Sequence, residues 1–235
     1  MIEIKPIQNL QATVTIPGSK SYTNRALLIA GLSDGECRLE KPLVSDDTKY
    51  MIRALKAFQI PVQEDREAFI VFGKGGELAM PSDPIFVGNA GTAMRFLTTF
   101  SSLVPGKIHL DGDERMRERP LADLLDCLKQ MGVKANSVKN TGCPPIDIEG
   151  GKVTGGDIKL AGNNSSQYLT SILLSAPYFE QDTCVHIQGD LTSKSYADIT
   201  LDIMKTFGVH VGNESYQRFT VKAGDRYKAQ TYRVE

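Results

Sequence analysis

The 235-residue sequence lacks an excess of either charge: 27 Lys and Arg stand against 28 Asp and Glu, a formal net charge of −1. That balance excludes a global basic field of the kind that draws nucleic acid or membrane surfaces, so an anion site has to be assembled locally. No apolar run approaches the roughly eighteen residues of a membrane-spanning helix. The start, Met1-Ile2-Glu3-Ile4-Lys5, alternates like a strand and shows no targeting pattern, which reads as a cytoplasmic protein. Cysteine and histidine are sparse. Cys37, Cys127, Cys143 and Cys184 lack the close spacing of a zinc or redox motif, and His109, His186 and His210 are scattered through strand-like runs. Free thiols in a reducing compartment are expected, with no metal site. Several catalytic motifs are missing too. Ser19 stands where a Walker loop needs glycine before its Lys-Ser, no G-x-G-x-x-G follows a strand, and neither G-x-S-x-G nor H-E-x-x-H occurs.

What is present, at 41% hydrophobic and 23% charged residues, is a globular composition with enough chain for a full core. Its most distinctive stretch is Pro17-Gly18-Ser19-Lys20-Ser21-Tyr22-Thr23-Asn24-Arg25. It reads as a glycine turn opening a helix whose first turn holds hydroxyls and a lysine, with an arginine one turn on. Unpaired backbone N–H groups, a partial positive charge and two cations make such a start suitable for an anion, phosphate above all.

Related starts recur. The turn glycines Gly18, Gly88 and Gly162 are 70 and 74 residues apart, and matching phrases follow: Phe58-Gln59-Ile60-Pro61-Val62, Met131-Gly132-Val133-Lys134-Ala135 and Phe207-Gly208-Val209-His210-Val211. The pattern predicts three βαβαββ units in a closed, pseudo-threefold α/β domain. The first unit would open with a strand over 13–16 and a helix over 19–32, the second with a strand over 85–87 and a helix over 92–103, and the third with a strand over 158–160 and a helix over 165–176. These first helices are nearly free of charge and belong inside, whereas the second helices, such as 46–58 and 121–131, carry one apolar stripe and belong nearer solvent. The buried helices would then start together at one end of the domain. A further strand-like stretch, Thr231-Tyr232-Arg233-Val234-Glu235, reads as the opening of a fourth unit and makes the chain look like part of a longer protein.

Lys20, Arg25 and Arg95 are cations in otherwise apolar helices, where desolvating a charge is costly. Structural pairing or snorkelling is one explanation. An anion site at converging helix starts is the other, and the accompanying glycines and hydroxyls favour it. The run Asp111-Gly112-Asp113-Glu114-Arg115-Met116-Arg117-Glu118-Arg119-Pro120 reads either as a solvated helix start or as part of that site.

Five pieces, in this order along the whole chain, carry a resemblance. Pro17-Gly18-Ser19-Lys20-Ser21 with Asn24-Arg25, Gly88-Asn89-Ala90-Gly91-Thr92-Ala93-Met94-Arg95, Arg115-Met116-Arg117-Glu118-Arg119-Pro120, Ser165-Ser166-Gln167 and Ser193-Lys194-Ser195-Tyr196 together resemble the 5-enolpyruvylshikimate-3-phosphate synthase family. The resemblance implies an enolpyruvyl transferase-like fold of two similar domains, each of three βαβαββ units with buried helices, closing over the substrates. Residues 1–12 would then be a lead-in near the hinge. Residues 13–225 would be one substrate-binding domain (units 13–76, 77–150 and 151–225), and 226–235 the crossover and first strand of a second domain. The implied reaction transfers the enolpyruvyl group of phosphoenolpyruvate to the 5-hydroxyl of shikimate 3-phosphate, releasing phosphate, on the route to aromatic amino acids.

By the same resemblance Lys20, Ser21, Arg25, Ser165, Ser166, Gln167, Ser193 and Tyr196 would hold shikimate 3-phosphate. Lys20, Asn89, Gly91, Arg95 and Arg115 would face phosphoenolpyruvate, with no cofactor or metal. Groups for proton transfer would lie in the second domain, in cis, so the chain alone is expected to bind substrate weakly and turn over nothing. A monomer is expected, with no nucleic-acid or membrane partner. Two positions depart from the family: Phe96 and Ser195 each stand where proline is usual, which bears on the geometry of the adjoining helix starts. A related UDP-N-acetylglucosamine enolpyruvyl transferase would carry a reactive cysteine in the loop corresponding to Asp111–Pro120, and none is there. A non-catalytic anion-binding module is the remaining alternative.

Overall fold

The structure is a computed structural model and describes residues 9, 11–14, 16–65 and 67–235. The first unit holds α1 (Lys20–Leu32), β1 (Asp34–Glu40), α2 (Asp46–Ala57), β2 (Val62–Glu64) and β3 (Ala68–Lys74). The second holds β4 (Ile85–Phe86), α3 (Gly91–Ser101), β5 (Gly106–Asp111), α4 (Ala122–Gln130), β6 (Lys134–Ser137) and β7 (Ile146–Gly150). The third holds β8 (Gly156–Ala161), α5 (Ser166–Ser175), β9 (Thr183–Gln188), α6 (Lys194–Thr206), β10 (Val211–Glu214) and β11 (Arg218–Val221), and β12 (Thr231–Arg233) closes the order. Among the described residues, no helix is long and apolar enough to cross a membrane.

Among the described residues, three four-stranded sheets form, ordered β12-β1-β3-β2, β4-β5-β7-β6 and β8-β9-β11-β10. In the second and third, the first strand of the unit pairs parallel with the next, β4 with β5 and β8 with β9, across a buried helix. The first sheet keeps this plan with a substitution that corrects the sequence reading. Thr13, Val14 and Ile16 form no strand, and Val14 and Ile16 are 79% and 85% exposed, while Thr15 lies outside the described residues. The parallel place beside β1 is taken by β12, with Arg38 opposite Thr231 and Glu40 opposite Arg233. The stretch expected to open a fourth unit thus completes the first sheet, and burial of Tyr232 and Val234 accounts for its stability there. The expected lead-in 1–12 lies mostly outside the described residues.

α1, α3 and α5 meet in the interior, as their lack of charge predicts. Every residue of α1 from Thr23 to Leu32 is buried, as is all of α3 except Thr92 and all of α5 except Gln167. Their hydroxyls find partners within the core: Thr98 donates to the Met94 carbonyl at 2.7 Å, and Ser171 donates to the Arg95 carbonyl at 2.6 Å. α2, α4 and α6 keep a polar side toward solvent. Gly18 and Gly162 hold matching positions, where a Cβ would strike the carbonyl oxygens of Lys41 and Asp190, just past β1 and β9 respectively. Gly88 adopts φ 53° instead, a conformation that favours glycine.

The expectation of scattered cysteines and histidines also fails at one place. Along β9, Thr183, Val185 and Ile187 point inward, so Cys184 and His186 share the outer face, and the parallel register sets Asp157 of β8 opposite Cys184. Three potential metal ligands thereby converge through a pairing that spacing along the chain does not reveal.

Candidate functional site

The starts of α1, α3 and α5 open on one end of the domain, where three cavities adjoin. The largest, about 870 Å³, is lined by Lys20, Asn89, Gly91, Thr92, Arg115 and Arg119, among others. A second, about 320 Å³, is lined by Lys20, Ser21, Ser165, Ser166, Ser193 and Tyr196. A third, about 390 Å³, is bounded by Arg95, Arg119 and Ser165. Gln167 lines all three, and its Nε2 donates to Thr92 Oγ1 at 3.3 Å. The two residues that escape burial in α3 and α5 therefore meet at the shared wall.

The helix starts are left open. Neither Ser19 before α1 nor Ala90 before α3 caps with its side chain, and no acid stands in either first turn. Backbone N–H groups there remain available to a ligand. Ser193, before α6, sits in the left-handed region at φ 56°, also without a side-chain cap. Only Ser165 closes its helix, accepting from the Gln167 N–H at 3.2 Å.

Three guanidinium groups concentrate positive charge around these starts. Arg95 is 9% exposed, donates through Nη1 to the Gly91 carbonyl at 2.9 Å, and lies 5.8 Å from the Tyr168 ring centre. Its Nε finds no hydrogen-bond partner among the described residues, and burial lowers its pKa. Arg119 donates to the carbonyl and side-chain oxygens of Asn89, both at 3.3 Å. Gly91 is what admits both: a Cβ there would collide with the guanidinium groups of Arg119 and Arg95. Two like charges converging on one helix start repel unless an anion joins them.

Arg25 is the third, and it lies beneath the cavities rather than in their walls. It is 1% exposed and donates to Ser21 O at 2.9 Å, Thr200 Oγ1 at 2.9 Å, and Thr170 Oγ1 and Tyr196 O, each at 3.2 Å. Its guanidinium sits 5.3 Å from the Phe96 ring centre, and burial lowers its pKa to about 10, which leaves it charged at neutral pH. Among the described residues, none of Arg25, Arg95 and Arg119 forms a salt bridge, unlike Lys20, whose Nζ is 3.5 Å from Asp47 Oδ1.

Lys20, Ser21, Ser165, Ser166, Gln167, Ser193 and Tyr196 gather round the 320 Å³ cavity, and Lys20, Asn89, Gly91 and Arg115 round the 870 Å³ one. Arg95 lines the third, and Arg25 lines none of the three. Arg115 is largely exposed and paired with Glu118 at 2.9 Å, a contact of little weight. Arg119 is the residue the sequence reading passed over. The helical turn Met116–Glu118 separates the two arginines, and alternating charges give no sign of which faces inward. The position of Arg119 directly before Pro120 at the start of α4 was the available signal. Phe96 is fully buried within an unbroken α3, and Ser195 lies inside α6, which begins at Lys194. Neither departure from proline interrupts its helix.

Three pseudo-equivalent units, a buried helix in each and a polar groove at their common end define a class of α/β domain. The chain belongs to the EPSP synthase (3-phosphoshikimate 1-carboxyvinyltransferase) family, whose model matches residues 4–235. It is similar to the 3-phosphoshikimate 1-carboxyvinyltransferases of Sulfurovum sp. (strain NBC37-1), at 45% identity over 100% of this chain and 56% of that protein, and of Pseudoalteromonas translucida (strain TAC 125), at 43% over 97% and 54%. The chain thus spans about half the length of the curated relatives it matches. Among solved structures, EPSP synthase from Acinetobacter baumannii shares the fold with a TM-score of 0.85 at 24% identity, over 94% of this chain and 49% of that one.

Proposed function

We propose that this chain forms the shikimate 3-phosphate-binding half of an enzyme that transfers the enolpyruvyl group of phosphoenolpyruvate to the 5-hydroxyl of shikimate 3-phosphate. In that reaction the hydroxyl loses its proton, its oxygen joins the enolpyruvyl carbon, and the bond from that carbon to the phosphate oxygen breaks, releasing phosphate. The observation that carries the reading is the sharing of Lys20 and Gln167 between two cavities of different chemistry. One is lined by hydroxyls, suited to a polyol phosphate, and the other brings Lys20, Arg115 and Arg119 together, suited to a small phosphorylated carboxylate, alongside the carboxylates of Asp46, Asp47, Asp113 and Glu118. Ser21, Ser165, Ser166, Ser193 and Tyr196 hold the first ligand in this reading. Lys20, Asn89, Gly91, Arg95 and Arg115 hold the second, with Arg119 added beside Gly91. Arg25 contributes positive potential from below the hydroxyl-lined cavity. Residues 13–225, with β12 completing the first sheet, are the substrate-binding domain of three units, and the protein is a cytoplasmic monomer.

Proton transfer needs groups on both faces of the reacting carbons, and these residues supply one face. The 235-residue chain is therefore expected to bind shikimate 3-phosphate and to release no phosphate from the substrate pair. Calorimetric titration of the chain with shikimate 3-phosphate, beside Arg25→Ala, tests the first part: indistinguishable curves would refute the role given to Arg25. A coupled phosphate-release assay tests the second, and turnover at the level of the full-length relatives would overturn it.

A further inference from the structure

The outer face of the third sheet carries a cluster that the proposed function leaves unused. His186 Nε2 lies 2.7 Å from Asp157 Oδ1 and 3.3 Å from Cys184 Sγ, and the three atoms are all within 4.8 Å of one another. The residues stand on neighbouring parallel strands, with Asp157 the register partner of Cys184. Ladder hydrogen bonds, not loop conformation, hold their backbones. A cavity of about 470 Å³ beside them is lined by Asp157, Cys184, His210 and Arg218 and shares no lining residue with the three site cavities.

An exposed Asp–His pair is common and contributes little by itself. The thiol brings a third donor atom to the pair. A ring nitrogen carries at most one proton, so Nε2 can donate to only one of the two groups facing it. A cation placed among the three atoms would satisfy all of them at once. Thiolate sulfur, imidazole nitrogen and carboxylate oxygen form a donor set characteristic of zinc, at bond lengths of about 2.3, 2.0 and 2.1 Å. Tetrahedral geometry at those lengths puts neighbouring donors about 3.3–3.6 Å apart. The sulfur–nitrogen separation already meets this, and the oxygen–nitrogen separation opens by rotation of the exposed Asp157 side chain. The charges also balance: a thiolate and a carboxylate neutralise a divalent ion. Arg218 Nε donates to Cys184 Sγ at 2.9 Å, and its Nη1 already bonds Glu214 Oε1 at 2.6 Å. That second partner lets the guanidinium withdraw when a cation arrives.

We propose that Asp157, Cys184 and His186 form a binding site for a thiophilic divalent cation of the zinc class, joining β8 to β9, with a fourth coordination position for water. Binding forms the sulfur–metal bond as the Cys184 S–H bond breaks and its proton passes to solvent. His186 coordinates through Nε2 with its proton on Nδ1. No electron is transferred.

Cobalt(II) added to the 235-residue chain reads the site directly. One equivalent is expected to produce thiolate-to-cobalt charge-transfer absorption, which zinc then displaces. Cys184→Ser should abolish the band, Asp157→Asn and His186→Gln should weaken binding about tenfold or more, and Cys143→Ser should leave the band intact. Absence of the band in the wild-type chain, or its survival in Cys184→Ser, would overturn the proposal. Alkylation followed by mass spectrometry provides an arm that needs no variant. Zinc should protect Cys184 selectively, and equal labelling with and without zinc would also overturn it.

Discussion

α1 and α2 belong to one unit and begin in opposite ways. At α2 the Ser45 hydroxyl accepts from the Thr48 N–H at 3.4 Å and the Thr48 hydroxyl accepts from the Ser45 N–H at 2.9 Å, with Asp46 and Asp47 in the first turn. A capping box and two acids beside the positive end of the helix stabilise that start. At α1 the Ser19 side chain caps nothing, the first turn holds no acid, and Thr23 turns its hydroxyl back to the Ser19 carbonyl at 2.8 Å. Forgoing a cap costs about 1 kcal/mol. A missing side-chain cap alone is not diagnostic, since α4 starts at Leu121 without one, but α1 lacks both a cap and a first-turn acid, which leaves its N–H groups to a ligand. Asp47 of the closed start reaches Lys20 of the open one, so the two are coupled through one ion pair.

The strongest way to break this comparison is to remove the charge beneath the open start. Every group that accepts from Arg25 keeps another hydrogen bond without it. Thr170 and Thr200 bond each other at 2.8 Å, the Tyr196 carbonyl also accepts from Thr200 at 2.8 Å, and the Ser21 carbonyl lies within the backbone ladder of α1. Arg25→Met therefore strands no polar group and removes a buried, carboxylate-free cation. Shikimate 3-phosphate affinity should fall more than about 100-fold, while stability in urea holds or rises by about 1 kcal/mol. A loss above about 1.5 kcal/mol would show that Arg25 is a structural strut.

Much of this arrangement was legible in the residues. The charge-free helices predicted which elements are buried, and the spacing of Gly18, Gly88 and Gly162 predicted three units. Long-range pairing was not legible. Thr231–Arg233 reads as an opening strand because its local pattern is that of one, and only the free edge of β1 decides where it goes. The same blindness to register hid the approach of Asp157 to Cys184. At the groove, residue type identified a set of hydroxyls and cations but not their depth. Arg25 lies below the cavities because α6 covers it through Tyr196 and Thr200, and Arg119 reaches Gly91 because a helical turn separates it from Arg115.

A smaller intervention closes the open start without touching the core. Ser19→Asp supplies an N-cap acceptor and a negative charge where α1 now has neither. It should stabilise the chain in urea by about 0.5–1 kcal/mol, and the same carboxylate should compete with an incoming phosphate and weaken shikimate 3-phosphate binding about tenfold. Stabilisation without weaker binding would mean that the ligand does not use the N–H groups of α1.

The reverse change, at the closed start, is expected to be smallest and to affect stability alone. Ser45→Ala leaves the Thr48 N–H without its side-chain acceptor and should cost about 1 kcal/mol in urea. Ligand affinity should stay within about twofold, because the Asp47–Lys20 pair survives the change and Ser45 lines none of the three cavities. If affinity instead falls with stability, the capping box is positioning Asp47 against Lys20. The closed start would then belong to the binding site as much as the open one, because the orientation of Lys20 between the two cavities would depend on it.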